Sequence, residues 1–306
     1  MALSIPTTST TALITVLLLL LCGGSSTAGS NESVNIPKSD IDQLEFPLNL
    51  EYLEVEFFSW GSFGRGLDSL EPKLAMGGPP PIGVMKANLS PLVRDIVAQF
   101  AFQEFGHLRA IQSSVKGFPR PQMDLSAAAF ATVMNNAFEM PLVPPFDPYA
   151  NDINYLLASY VIPYVGLTGY VGTIPKLRSP TSKRLVAGLL GVESGQDAVI
   201  RTLLFQRASS RVAPYSFTVA EFTNKISGLR NELGKRGLKD EGVIVPLVEG
   251  AEGRIAGNVL AGDQNSLSFD RTPEEILRIV YGSGKENEPG LFYPKGADGR
   301  IARSYL

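Results

Sequence analysis

Three glutamates sit where a helix should be apolar. With about 100° of turn per residue, Glu51 falls in the middle of an arc formed by Leu44, Leu48, Val55 and Phe58. Glu104 and His107 lie among Val93, Val97, Phe100, Leu108 and Ile111, and Glu193 and Gln196 among Val186, Leu189, Ile200 and Leu204. An unpaired buried charge is costly, so such a group has a partner, a metal or a proton. One glutamate on an apolar stripe is an accident; three at matching depth indicate helices that bring them together. Glu45 and Glu56 fall on a separate arc and read as solvated, and Glu54 lies at a border.

The segments that carry these stripes are bounded by breakers. A first helix is predicted from about Ile41 to Trp60, with Ser39 or Asp40 placed to cap it. The run "GGPPPIG" then excludes regular structure, and a second helix runs from about Ser90, with Pro91 in its first turn, to Val115. "DLSAAAFATVMNNAF" from Asp124 reads as a connecting helix. "NDINYLLASYVIPYVGLTGYVG" is apolar all round, which suits a buried helix that tolerates Pro163. A fourth helix spans about Ser182 to Arg207. After Ala213 the chain becomes rich in glycine and charge, with helices predicted at Thr218–Lys235 and Thr272–Tyr281. The expected organisation is all-α: a four-helix bundle over 38–210 and a loop-rich, partly helical C-terminal extension over 211–306.

Spacing adds chemistry to this architecture. Glutamates from two helices of a bundle and Glu-x-x-His from the other two build a dinuclear metal site, because residues i and i+3 turn toward one point. The second helix has the motif complete in Glu104-Phe-Gly-His107, and His107 is the only histidine in the 306 residues. The fourth has Glu193-Ser-Gly-Gln196, where an amide replaces the imidazole and is a weaker ligand. The third helix offers nothing acidic from Ile153 to Gly172.

The N-terminus reads as an export signal. "TALITVLLLLLCGG" has signal-peptide length, and Ser26-Thr27-Ala28 fits cleavage before Gly29, giving a signal peptide over 1–28. No Lys or Arg precedes the apolar run, which leaves an uncleaved anchor as the alternative. No later stretch reads as long and apolar enough to cross a membrane. Cys22 lies inside the signal, so the remainder has neither disulfides nor cysteine ligands and must hold together by packing. A net charge of −3 gives no basic footprint for nucleic acid. Asn31 and Asn88 stand in glycosylation acceptor sequences, with Pro91 close behind the second. "GADGR" and "GAEGR" do not follow strands, so no phosphate loop is expected.

The stretches "IDQLEFPLNLEYLEVEFF", "FQEFGHLRAI", "YLLASYVIPYVGLTGYVG" and "GLLGVESGQDAVIR" resemble the ferritin-like desiccation-related proteins of plants. The similarity continues through "FPRP", "PPFDPYAN", "AEFTNKI" and "FDRTPEEILRIVYGSG", and so covers nearly the whole chain after the signal. It implies a ferritin-like core and expression linked to drying. Within the wider ferritin-like group the metal pattern is Glu, Glu-x-x-His, Glu, Glu-x-x-His. Glu51, Glu104, His107 and Glu193 match four of those positions, Gln196 stands where the second histidine is expected, and the third-helix carboxylate would fall near Pro163, between Tyr160 and Tyr164. Glu51 and Glu193 have an alternative as a pair sharing a proton or bonded to the Tyr160 or Tyr164 hydroxyls.

Two functions follow. In the first, this is an exported desiccation-related protein with a structural or protective role and a degenerate di-metal site, not an enzyme, with no cofactor expected. In the second, it is an iron- or manganese-dependent oxidoreductase or metal binder that limits oxidative damage. The ligand count favours the first. The expected partners are cell-wall or extracellular components or a second copy of the chain, with no nucleic acid and no stable membrane insertion after signal cleavage.

Overall fold

Pro47 sets how the chain enters the bundle. In the computed structural model, which describes residues 36–306, α1 (Lys38–Glu45) and α2 (Leu48–Phe63) replace the single predicted helix. Pro47 lies between them and has no N–H to continue the ladder. Gly64, at φ 72°, ends α2 in the left-handed region. The signal peptide and Asn31 lie outside the described residues.

The second rod is α3 (Pro91–Ser114), with Ser90 accepting from the Val93 N–H and Pro91 in the first turn, as predicted. Ser126 caps the connecting helix α4 (Ala127–Phe138) in the same way. Pro163 divides the third rod into α5 (Asp152–Val161) and α6 (Pro163–Thr173) instead of being absorbed in one helix. Every residue from Asn154 to Tyr170 is buried, which accounts for an apolar sequence on all sides. By length and composition Asp152–Lys176 is apolar enough to cross a membrane, contrary to the sequence expectation; 83% of its apolar window is buried inside the protein. The fourth rod, α7 (Pro180–Phe205), starts where Asp40 accepts from the N–H groups of Arg178 (3.0 Å) and Ser179 (2.8 Å). Asp40 therefore serves α7 and not the start of its own helix. The α2 rod packs along α3, and α5 and α6 pack along α7. Among the described residues no β-strand forms, only isolated bridges.

Beyond α7 lie α8 (Val219–Gly234), α9 (Pro273–Tyr281) and α10 (Gly299–Arg303). Capping boxes start the first two, Thr218 with Glu221 and Thr272 with Glu275. The intervening chain is held by buried arginines. Arg201 of α7 donates to the carbonyls of Glu241 (3.0 Å), Gly242 (3.1 Å), Asn258 (2.6 Å) and Val259 (2.9 Å). Arg230 and Arg271 share Asp240, at 2.6 and 3.3 Å. Near the C-terminus, Asn49 of α2 exchanges hydrogen bonds with the backbone of Asp298 at 2.9 and 2.8 Å.

Two carboxylates are not where the helical wheel put them. Glu56 is fully buried and paired with Arg120, which also clamps Asp68 at 2.9 Å. Glu45 is half-buried and accepts from the Gly117 N–H at 3.1 Å. Burial of α2 on almost all sides explains Glu56, since a wheel assumes one wet face; Glu45 ends α1, where the Gly117 loop covers it. Asn88 is exposed, and its amide donates to the Ala150 carbonyl at 3.3 Å.

Candidate metal centre

Glu51, Glu104, His107 and Glu193 meet at the centre of the bundle, as the stripes predict. One potential ligand atom from each lies within 4.8 Å of all the others. Glu51 comes from α2, Glu104 and His107 from adjacent turns of α3, and Glu193 from the middle of α7. His107 Nδ1 stands 3.1 Å from Glu51 Oε2, 3.2 Å from Glu104 Oε2 and 3.3 Å from Glu193 Oε1. All four side chains are buried.

A second tier orients these carboxylates. The Gln196 amide donates to Glu104 Oε1 at 2.6 Å and to Gln103 Oε1 at 3.0 Å. The Tyr170 hydroxyl donates to Glu51 Oε1. Such outer groups fix the direction of a ligand's lone pairs. The tyrosine differs from the two considered in sequence. Tyr160 turns away to Ser227, Arg201 and the Glu241 carbonyl, and the Tyr164 hydroxyl has no partner.

One residue of the cluster was not recognised in the sequence. Glu54, placed at the border of the apolar arc, is buried beside the others, and neither of its carboxylate oxygens has a hydrogen-bond partner. Its signal was present: Glu51-Tyr-Leu-Glu54 has the same i, i+3 spacing as Glu-x-x-His. Opposite it, the third rod presents Gly166, one helical turn beyond the expected Pro163 register. A Cβ on Gly166 would lie 3.3 Å from Glu54 Oε1 and 3.9 Å from Glu193 Oε2. A narrow cavity between α2, α6 and the start of α9 reaches Glu51, Glu54 and Glu193, with Tyr170 and Arg271 on its walls.

The electrostatics follow from four carboxyls and one imidazole out of water. Burial alone would lower the His107 pKa, but Glu51 and then Glu104 reverse this and hold the ring protonated at neutral pH. Burial pushes Glu51 up, yet the His107 charge outweighs it and keeps this carboxyl below its ordinary value. Burial, then the charge of Glu193, pushes both Glu54 and Glu104 well above the carboxylate range. Burial raises Glu193 to about 7. The cluster without a metal therefore stores protons, and a cation entering it displaces them.

The donor set fits a metal ion. Both Glu54 oxygens, Glu193 Oε2 and Gln196 Oε1 are buried without partners, and a buried oxygen left unpaired costs free energy. Carboxylate, carbonyl and a single imidazole suit hard or borderline divalent ions such as iron(II) and manganese(II). The cluster is able to bind a metal.

The Ferritin-like domain family matches residues 39–206, which span all four rods and every residue of this cluster. The chain is 66% identical over 273 residues to the Desiccation-related protein PCC13-62 of Craterostigma plantagineum, covering 89% of this chain and 87% of that one. The chain belongs to the ferritin-like, desiccation-related family. A second relative in this ferritin-like group, 58% identical over 271 residues, is the Ferritin-like catalase Nec2 of Nesocodon mauritianus, again with 89% of this chain and 87% of the other covered. No solved structure matches the chain. Both relatives extend well past the ferritin-like domain, so the C-terminal extension is shared by these ferritin-like proteins.

Proposed function

We propose that this chain is a metal-dependent oxidoreductase that consumes peroxide and so limits oxidative damage during water loss. The observation that carries the reading is the buried cluster of Glu51, Glu104, His107 and Glu193, with ligand atoms within 4.8 Å of one another, together with partnerless buried oxygens on Glu54, Glu193 and Gln196. Buried polar atoms are normally closed onto partners, and four of the partnerless oxygens belong to Glu54, Glu193 and Gln196. The relative whose printed name is catalase supports peroxide as the substrate. This reverses the preference drawn from ligand count alone, because the count omitted Glu54.

Glu51, Glu104, His107 and Glu193 would hold the iron or manganese, with the Gln196 carbonyl as a further donor. Bound there, iron or manganese would supply the redox capacity that these side chains lack. The remaining work belongs to the chain. Tyr170 and the Gln196 amide aim Glu51 and Glu104. Burial excludes bulk water, and the narrow cavity leaves about 10 Å³, room for little more than one water-sized molecule. In the reaction one peroxide is oxidised to dioxygen with release of two protons and two electrons, and another takes these up as it is reduced to two waters.

We further propose export, supported by the apolar N-terminal run and the absence of cysteine after Cys22. The decisive experiment is oxygen evolution from hydrogen peroxide by protein loaded with manganese or iron, compared with the same concentration of free ion. Protein-bound metal should be the faster, and the Glu104→Gln variant should lose the excess. A rate no greater than that of the free ion overturns the proposal.

A further inference from the structure

The third rod lacks the carboxylate that a ferritin-like centre draws from it, and Gly166 faces the cluster in its place. We propose that Glu54 supplies that missing carboxylate from α2, reaching across the bundle into the space that Gly166 leaves open, so that the centre holds two divalent ions. This inference rests on the metal-dependent reading above.

Three observations converge on it. Glu54 is buried to 1% exposure, neither of its oxygens has a geometric hydrogen-bond partner, and the charged groups that act on it are those of this cluster, Glu193, Glu104, Glu51 and His107. A methyl on Gly166 would stand 3.3 Å from Glu54 Oε1 and 3.9 Å from Glu193 Oε2, which shows the two carboxylates approaching the same point beside α6. A contact that close is tighter than nearly all Cβ contacts, so the space is available to Glu54 because residue 166 has no side chain. The same cavity borders Glu51, Glu54, Gly166 and Glu193, which places Glu54 beside two of the proposed ligands.

Charge balance gives the stoichiometry. With His107 neutral as a ligand, Glu51, Glu54, Glu104 and Glu193 together carry four negative charges, which two divalent cations neutralise. Without Glu54, two such cations would leave a net positive charge in a buried site, a costly state. Helix geometry makes the substitution workable. Glu51 and Glu54 are one turn apart on α2, as Glu104 and His107 are on α3, so each of these helices offers two ligands to the centre.

The test is metal retention together with stability, on the full chain after removal of the N-terminal signal. Wild type, Glu54→Gln and Glu54→Met are loaded with manganese(II), dialysed against graded chelator, and measured for metal content by elemental mass spectrometry and for melting temperature with and without metal. Glutamine keeps the shape of Glu54, and methionine removes the buried polar group altogether, so at least one variant folds. Wild type should retain two ions per chain. Both variants should fall to one, or release the second at roughly tenfold or more lower chelator, a loss on the scale of those seen when groups around a metal are altered. Their metal-free melting temperatures should match or exceed that of wild type. Two ions held with unchanged chelator resistance in the variants would overturn the role of Glu54 and leave the metal reading intact. No ion retained by wild type would overturn both.

Discussion

The Gln196 amide donates to Glu104 Oε1 at 2.6 Å, linking the two helices that would each carry Glu-x-x-His in a complete ferritin-like centre. The amide serves as a brace on its donor side, while its carbonyl oxygen has no partner. One residue thus orients a ligand and keeps a weak donor in reserve.

Replacing that amide by imidazole should strengthen the centre. Gln196→His completes the second Glu-x-x-His and should raise resistance to metal stripping by about tenfold or more. Elemental analysis after dialysis against graded chelator measures it. Gln196→Ala should move retention the other way, since it removes both the brace and the carbonyl.

His107 is the cation among the acids when no metal is bound. Removing it as His107→Ala leaves Glu51 without the charge that holds it ionised, at an expected cost of about 1–3 kcal/mol. The cost is limited because the carboxyl can take up a proton. His107→Gln keeps a donor and should cost less. Thermal melts in chelator rank the three proteins. In metal-loaded protein, chelator should destabilise wild type more than His107→Ala, because only wild type has a tightly held ion to lose.

Asp240 is the shared counter-charge of Arg230 (2.6 Å) and Arg271 (3.3 Å), all three buried. Asp240→Asn leaves two guanidinium groups unpaired and should destabilise the protein by about 3–5 kcal/mol. Denaturant unfolding gives the value. Asp240 itself is not part of the central cluster, although Arg271 also lines the cavity that reaches it.

Acid should weaken one specific anchor of the extension. Glu286 accepts from Arg278 Nε at 2.6 Å, and this bond, with one from its own backbone, lowers the Glu286 pKa to about 2. A lowered folded-state pKa means that the contribution is present in full above the unfolded value near 4.5 and is lost as pH falls toward 2. Glu286→Gln should therefore be less stable than wild type at pH 6, with the difference vanishing by about pH 2. The pair is partly exposed, so the gap should be at most about 1 kcal/mol and smaller in high salt.

Much of the centre was legible because burial and charge conflict visibly in a helix. Glu51, Glu104 and Glu193 stand out on apolar stripes, and Glu-x-x-His adds direction. Glu54 did not stand out, because α2 is buried on almost every side and no single arc marks its inner face. For the same reason Glu56 passed as solvated although Arg120 covers it. The helix starts predicted at Ser90, Thr218 and Thr272 coincide with residues whose side chains cap the helices in the structure. The break at Pro47 was missed although a proline inside a helical pattern signals it, whereas the service of Asp40 to α7 was not legible, since it depends on contacts between residues far apart in the chain. Gly166 was the hardest to read, as a glycine announces nothing until something else fills its space.

Arg201 bears on the order in which the molecule can be completed. It lies within the matched 39–206 segment, yet apart from Tyr160 its acceptors belong to residues 241, 242, 258 and 259. As the chain leaves the ribosome, all four rods exist before any of those carbonyls has been made. Until then a guanidinium at the bundle's edge still needs water, and water cannot be excluded from that end of the core. The last third of the sequence therefore acts as a closing clasp. A protein ending near residue 206 would carry every proposed ligand and still lack the means to shut the chamber that contains them.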